Sequence, residues 1–275
     1  MKKSLTKSLP MNRRWQREQD PKPYARLEQR IRSCQQAYYN GLLGNPDISD
    51  AEFDALYDKL SRKNPKSPVL AKVGASPVKG FPKAPHIIPM GSQEKAANPS
   101  QFLYWAAKTA PSSYVVQYKL DGASLELQYH QGILTRAVTR GNGVIGNDIT
   151  QNARLMMDVL PELPALFTGG IQGEVIMTRK VWAEKYADKH NRQDTANGIM
   201  FHRNGSDCEN LSFIAYDAAA AGNDRFFPDE TLKITWLRAM GFQTVVTREF
   251  TTPHEVINSL QNGYRKPKGR FAGRY

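Results

Sequence analysis

At 275 residues, the chain is long enough for one large domain and one small one. A hydrophobic fraction of 40% and a charged fraction of 23% suit a soluble globular protein, and no apolar run approaches the roughly 20 residues of a membrane span. The formal net charge of +12 favours a polyanionic partner such as nucleic acid, although a merely soluble basic protein is an alternative interpretation. The two cysteines lack metal-ligand spacing and the first residues lack the apolar core of a secretion signal, so we expect a cytoplasmic protein.

Basic residues crowd both ends of the chain, in residues 1–20 and 265–275, with aromatic residues among them. This composition predicts flexible basic arms that follow a phosphate backbone. Between the arms, residues 21–72 are predicted to form a small helical domain, and residues 73–264 a larger one.

The small domain is predicted from two helical patterns. Apolar and aromatic residues from Tyr24 to Tyr38 recur every three or four positions, which is typical of an amphipathic helix. Ser49 and Glu52 have the spacing of a capping box, which predicts a second helix. Repeated X-Pro steps over residues 63–100 then predict an extended linker without regular structure.

The larger domain mixes helix and strand patterns, which predicts an α+β fold with mostly antiparallel sheets. Strands are predicted near residues 114–119, 123–130 and 133–139 as a meander, and then at 171–177, 211–216 and 242–246. Helices are predicted at 99–108, 148–157, 178–189, 229–240 and 253–264, and a polar loop at 197–210.

The residues with the clearest chemical meaning lie around the first strand. Lys119 and Asp121 follow an alternating pattern, and a Gly-rich segment then begins at Arg140. A lysine amine is a poor nucleophile while protonated, and a nearby cation and partial burial both favour its neutral form. We expect Arg140 to supply the cation, the end of the sheet to supply the burial, and the N–H groups of residues 141–146 to approach anionic oxygens. The alternative is an ordinary hairpin with a solvated lysine.

Two later residues are further candidates. Glu174 lies on an otherwise apolar strand, where a carboxylate needs a ribose hydroxyl, a metal ion or a structural salt bridge as its partner. Tyr216 is either a core residue or a platform for a base.

These segments resemble the adenylation domain of NAD-dependent DNA ligases, a nucleotidyltransferase fold, and residues 21–72 resemble that family's nicotinamide-binding segment. The segments that carry the resemblance are Tyr118-Lys119-Leu-Asp121-Gly122-Ala-Ser-Leu, Thr139-Arg140-Gly-Asn-Gly-Val-Ile-Gly-Asn-Asp148, Gly173-Glu174-Val, His86-Ile-Ile-Pro89-Met90-Gly-Ser92, and Tyr38-Tyr39-Asn40 with Asp50-Ala-Glu52-Phe53-Asp54. The resemblance runs from about residue 25 to 264.

The resemblance implies a mechanism and a set of roles. Lys119 attacks the α-phosphorus of NAD and becomes adenylylated, AMP passes to the 5′-phosphate of a nick in double-stranded DNA, and the 3′-hydroxyl then seals the strand. Magnesium is implied as counter-charge to the phosphates. The implied contacts are Asp121, Arg140 and Glu174 with ribose and phosphate, Tyr216 and Ser92 with adenine, and Tyr39, Asp50 and Asp54 with the nicotinamide half.

The sequence departs from the family pattern at several positions. Asn40 and Phe53 stand where the family usually has His and Tyr, and Gln117 replaces a Glu. Asn142 and Asn147 replace acidic residues. The segment Asp194-Thr-Ala-Asn-Gly198 is a degraded form of an Arg-Asn-Ala-Ala-Ala-Gly motif, which leaves either Arg192 or Arg203 as the phosphate-binding arginine.

The family's later lysine motifs, barrel and DNA-binding domains are not matched, so the fold is expected to be incomplete at its C-terminus. The resemblance then suggests the first subunit of a ligase split into two polypeptides, as in some bacteriophages, with a truncated gene or an expressed fragment as alternatives. Two further hypotheses are a degenerate module that binds NAD or nicked DNA without chemistry and an ATP-dependent relative. The helical segment argues against the latter, because ATP has no nicotinamide.

Overall fold

The computed structural model describes residues 24–40, 50–71, 80–91, 95–189 and 191–261. They form two compact units, the first made of residues 24–34 and 50–71 and the second of the remainder. The two basic arms, the capping-box residue Ser49 and Ser92 lie outside the described residues.

The helical pattern predicted for residues 21–72 is confirmed where it is described. Its helices are α1 (Ala25–Asn40), α2 (Asp50–Lys63) and the short α3 (Pro68–Ala71). In the first unit, Ile31, Leu60 and Val69 are fully or almost fully buried against one another. The Ser67 hydroxyl donates to Glu28 Oε1 at 2.7 Å, which holds the start of α3 to α1. The small unit therefore has its own core.

The second unit alternates strands and helices. Its strands are β1 (Lys83–Pro85), β2 (Tyr114–Gln117), β3 (Ala123–His130), β4 (Ile133–Thr139), β5 (Ile145–Asn147), β6 (Gly169–Ile176), β7 (Ser212–Ala220) and β8 (Thr247–Phe250). Its helices are α4 (Pro99–Thr109), α5 (Thr150–Ala153), α6 (Arg179–Lys185), α7 (Arg192–Met200), a 3₁₀ turn (Cys208–Asn210), α8 (Glu230–Ala239) and α9 (Pro253–Gln261).

A four-stranded antiparallel sheet with the order β4-β3-β6-β7 forms the centre of this unit. Leu125, Leu127 and Tyr129 alternate along β3 and are buried in the main core, where Ile171 and Phe213 join them. All named strand pairs in the described residues are antiparallel, which confirms the α+β class with antiparallel sheets.

The predicted three-strand meander is correct only for β3 and β4, which pair as a hairpin around residues 130–132. β2 pairs with β8, with Tyr114 opposite Phe250, and not with β3. Aromatic packing explains the choice, because Tyr114 packs between α4 and α9 against Phe102, Trp105 and Val256. Local alternation in the sequence identified the strand but carried no information about a partner more than a hundred residues away.

Other boundaries also differ from the predictions. The linker is not wholly irregular, since it contains α3 and β1. The helix predicted at 148–157 is only α5, and much of the predicted loop at 197–210 is the end of α7 followed by the 3₁₀ turn. The last strand lies at 247–250 instead of 242–246. The predicted helix starts near residues 178 and 229 are confirmed, and the side-chain oxygens of Thr178 and Asp229 accept there from N–H groups of α6 and α8.

Candidate active site

Lys119 lies in the open segment between β2 and β3. Its neighbours Tyr118 and Leu120 pack against a buried cluster that includes Ile176 and Ile214. Alternation of side chains therefore turns Lys119 outward, and its side chain is 92% exposed. The expected burial of Lys119 at the sheet end is wrong, because none of the covering contacts made by Tyr118 and Leu120 extend to the amine.

Asp121 and Gly122 complete this segment. Lys119 Nζ is 3.9 Å from Asp121 Oδ1, and both side chains face solvent. A Cβ on Gly122 would come 2.2 Å from the Val175 carbonyl oxygen and 2.8 Å from Glu174 Cγ. Glycine at this position thus lets the backbone beside Lys119 approach the strand that carries Glu174.

Glu174, Ser124 and Tyr216 form the second part of the site. Ser124 lies opposite Glu174 in the β3–β6 register, and its hydroxyl donates to Glu174 Oε2 at 3.1 Å. Burial raises the pKa of Glu174 to about 7, although Ser124, Lys119 and Arg140 act in the opposite direction. Burial, followed by the Glu174 charge, also raises the pKa of the Tyr216 phenol, whereas Ser124 and Arg140 act in the opposite direction. The structure therefore brings Lys119, Arg140, Glu174 and Tyr216 into one electrostatic neighbourhood.

Arg140 is fixed at the end of β4. Its backbone N–H donates to the Ser124 carbonyl oxygen at 3.2 Å, and its Nη2 donates to the Gly91 carbonyl oxygen at 3.2 Å. Gly141 and Gly143 follow with φ angles of 53° and 88°, which favour glycine. These contacts hold Arg140 where the charge of its guanidinium lowers the pKa of Glu174.

The Gly-rich loop differs from the expected anion cradle. The Gly143 N–H donates to the Arg140 carbonyl oxygen at 2.9 Å, and the N–H groups of Val144 and Ile145 donate to Asn142 Oδ1 at 3.0 and 2.8 Å. The Asn142 N–H donates to the Ile145 carbonyl oxygen at 3.1 Å. Because these four donors are used within the loop, the guanidinium of Arg140 is the better anion-binding group.

The other predicted site residues are distributed as follows. Tyr39 and Asp50 lie on α1 and α2, but their side chains fall outside the described part, as does Ser92. Asp54 is an exposed residue of α2. Of the two candidate phosphate-binding arginines, Arg192 Nη1 donates to the Met177 carbonyl oxygen at 3.3 Å, and Arg203 lies against Gly80.

Sequence reasoning missed several polar residues at the site. Gln193 Nε2 donates to the Gly122 carbonyl oxygen at 3.4 Å, which connects α7 to the lysine segment. Glu126 is fully buried, and His86 lies between it and the Arg140 carbonyl oxygen. Polar alternation along β3 was a visible signal, but it ordinarily indicates a solvent-facing surface.

The family comparison agrees with this geometry. A family model for the NAD-dependent DNA ligase adenylation domain matches residues 78–270, which include every element of the site in the second unit. The chain belongs to this family.

Relatives that are similar to this adenylation domain are named DNA ligase. The protein of Treponema denticola is 44% identical over 246 residues, covering 84% of this chain and 38% of that protein. The protein of Treponema pallidum is 40% identical over 245 residues, covering 84% and 29%. The protein of Leptospira interrogans is 32% identical over 262 residues, covering 89% and 37%. The chain thus spans less than two fifths of the length of these curated relatives.

The adenylation domain combines an amine, a guanidinium, two carboxyl groups and an aromatic ring in this neighbourhood. A guanidinium suits a phosphate, a carboxyl group suits a ribose hydroxyl, and a tyrosine ring suits a base. This set of side chains therefore has the chemistry to bind an adenine nucleotide. Within the described ranges, no three His, Cys, Asp or Glu side chains cluster as metal ligands, so no residue is assigned to magnesium. No helix in those ranges is long and apolar enough to cross a membrane.

Proposed function

We propose that this chain is the adenylation component of an NAD-dependent DNA ligase and that Lys119 carries the AMP. The observation that carries the proposal is the accessible amine of Lys119, whose charge acts on Glu174 together with that of Arg140. Family membership supports NAD as the adenylate donor.

In the first step, Lys119 Nζ forms a bond to the α-phosphorus of NAD while the bond from that phosphorus to the bridging oxygen breaks. Nicotinamide mononucleotide leaves with the bridging oxygen, the amine loses its proton, and AMP stays on the lysine. The 5′-phosphate of a DNA nick then takes the AMP, and the adjoining 3′-hydroxyl displaces it to join the strands. Positioning and charge stabilisation supply most of the rate in such phosphoryl transfers.

Each site residue has a role in this proposal. Arg140 offsets phosphate charge, Asp121 and Glu174 accept from ribose hydroxyls, and the Tyr216 ring packs on adenine. Support comes from the shared electrostatic environment of Lys119, Arg140 and Glu174, from the Ser124 hydrogen bond to Glu174, and from the effect of the Glu174 charge on Tyr216.

The nicotinamide half of NAD is assigned to Tyr39, Asp50 and Asp54, and Ser92 is assigned to the adenine side. This part rests on the sequence resemblance alone. It predicts that Asp54→Ala raises the NAD concentration needed for half-maximal labelling more than it lowers the rate at saturating NAD, because the residue binds a part of the substrate remote from the reacting phosphorus.

The proposal includes two macromolecular partners in a bacterial or phage-infected cytoplasm, where the activity would serve DNA replication and repair. One is nicked double-stranded DNA, which the net charge of +12 favours. The other is a second ligase subunit that supplies the later lysine motifs. Magnesium would accompany the phosphates of NAD rather than a dedicated protein site.

The direct test is transfer of label from NAD labelled in its adenylate to the denatured chain. We expect label on the full chain, tested with and without a candidate second subunit, and more with NAD than with ATP. Lys119→Arg keeps the positive charge but should abolish the label, whereas Lys180→Arg, at another exposed lysine, should retain it. Absence of label under conditions that label an authentic ligase would contradict the proposal.

A non-catalytic module is the second candidate. This candidate is favoured by the Gly-rich loop, because the N–H groups of residues 142–145 donate within the loop and not outward to an anion. Salt-sensitive binding of nicked DNA without adenylylation would support this alternative.

A further inference from the structure

Three buried polar side chains line one face of the central sheet. Glu126 and Gln128 on β3 and Gln172 on β6 are almost completely shielded from solvent, although they point away from the core that holds Leu125 and Leu127. Buried polar groups require hydrogen-bond partners, so something specific must cover this face.

The covering element is the segment from Pro85 to Ile88. Glu126 Oε2 accepts from the Ile87 N–H at 3.0 Å, and Oε1 accepts from the Ile88 N–H at 2.7 Å. The side-chain amides of Gln128 and Gln172 donate to the carbonyl oxygens of Pro85 and Ile88 at 2.8 and 2.7 Å. We call Glu126, Gln128 and Gln172 the polar clamp.

Space for the polar clamp comes from a glycine on β6. A Cβ on Gly170 would lie 2.7 Å from Glu126 Oε1 and 3.2 Å from Ile88 Cγ1. The close approach of the segment therefore depends on Gly170 as well as on the three polar side chains.

His86 extends the polar clamp to Arg140. Its Nδ1 lies 3.1 Å from Glu126 Oε2, and its Nε2 lies 3.1 Å from the Arg140 carbonyl oxygen. A carbonyl oxygen only accepts, so Nε2 carries a hydrogen. The His86 side chain is 1% exposed, which leaves water little opportunity to replace these bonds.

Backbone hydrogen bonds also connect the chain around His86 and Met90 with the Gly-rich loop that follows Arg140. The His86 N–H donates to the Val144 carbonyl oxygen at 2.9 Å, and the Met90 N–H donates to the Gly143 carbonyl oxygen at 2.8 Å. The Gly91 carbonyl oxygen in turn receives Arg140 Nη2. A shift of the segment over the sheet would thus move both the backbone and the guanidinium of Arg140.

We propose that Glu126 and His86 are positioning residues for adenylylation. Glu126, as part of the polar clamp, holds the segment from Pro85 to Ile88, and His86 in that segment holds the backbone of Arg140. The functional half of this inference rests on the proposed function, whereas the structural coupling between the two segments does not. Small displacements of a group that binds the reacting phosphate are costly, so the coupling has a kinetic consequence.

The structural coupling is tested by backbone hydrogen exchange of the full chain, followed by mass spectrometry. Glu126→Gln and His86→Phe should each speed exchange roughly tenfold or more in peptides covering 86–90 and 140–146. Tyr129→Phe is the matched control, because it removes a buried bond from the same strand, to the Leu160 carbonyl oxygen, away from Arg140. It should leave both peptides at the wild-type rate.

The functional half is tested by single-turnover labelling with NAD. At saturating NAD, His86→Phe should lower the rate by roughly tenfold to a hundredfold, with a smaller change in the half-saturating concentration. If His86 acts through Arg140, His86→Phe should have little further effect in an Arg140→Gln background.

The outcomes are separable. Wild-type exchange rates over 140–146 in both Glu126→Gln and His86→Phe overturn the coupling, whatever the labelling shows. Additive losses in the double variant overturn the kinetic role. A wild-type chain that takes no label, with the expected exchange pattern, refutes the proposed function and supports the coupling. If Glu126→Gln does not fold, Gln172→Met, which removes only the bond to Ile88, replaces it in the exchange experiment.

Discussion

The raised pKa of Glu174 predicts a specific pH dependence of stability. Burial lifts this pKa from 4.5 to about 7, so between these values the folded chain holds a proton that the unfolded chain has released. The free energy of unfolding therefore falls as pH rises through this window. Below pH 4.5 the carboxyl group is protonated in both states, and above pH 7 the whole cost of its ionisation is present.

The magnitude follows from the same two values. A pKa difference of about 2.5, at roughly 1.4 kcal/mol for each pKa unit, gives roughly 3–4 kcal/mol, and partial exposure of Glu174 makes this an upper bound. Glu174→Gln removes the ionisation and keeps the shape. From pH 4.5 to pH 7.5, wild type should therefore lose up to this amount of unfolding free energy relative to Glu174→Gln.

Urea denaturation of both proteins over this pH range measures the difference. Glu184→Gln, at an exposed glutamate on α6, is the control for adding an amide. Profiles of wild type and Glu174→Gln that stay parallel across the range would refute the reasoning, because they would show that Glu174 has the same pKa in the folded and unfolded chains.

Three further predictions follow from the packing. Gly146→Ala should destabilise the chain by roughly 1–3 kcal/mol in urea denaturation, since its Cβ would lie 1.6 Å from the Thr139 carbonyl oxygen; an unchanged midpoint would contradict this contact. Ser124→Ala should raise the pKa of Glu174 further, because the lost hydroxyl stabilises the carboxylate, and carboxyl-resolved NMR titration would show it. Cys208 should resist thiol reagents until the chain unfolds, because it is fully buried and burial raises its thiol pKa to about 11; rapid reaction of the native thiol would contradict its placement.

Much of the site was predictable because its chemistry is local in sequence. Lys119, Asp121 and Arg140 stand in short motifs, and Glu174 is conspicuous as a carboxylate on an apolar strand. Strand and helix positions followed in the same way from alternation and from apolar residues that recur every three or four positions. These features depend on neighbours a few residues apart.

The unpredicted features all depend on distant partners. β2 pairs with β8 because of the aromatic packing around Tyr114, and no pattern within β2 specifies its partner strand. Glu126 had the ordinary appearance of a solvent-facing residue because the segment that buries it lies 38 and 39 positions earlier. The burial expected for Lys119 was wrong for a related reason, since the direction of an open segment depends on what its neighbours pack against.

Under the proposed function, adenylylation needs a fixed phosphate-binding group and a desolvated amine, and the described residues supply only the first of these. The position of the guanidinium is fixed by the protein, because His86 holds the backbone of Arg140 and the Gly91 carbonyl oxygen accepts from its side chain. Desolvation of the amine is not supplied by the described residues, because Lys119 faces water. In the proposed function, covering of the amine would accompany binding of the dinucleotide. In the proposed reaction, this arrangement would keep the amine of Lys119 in water until the phosphate of the dinucleotide is in place.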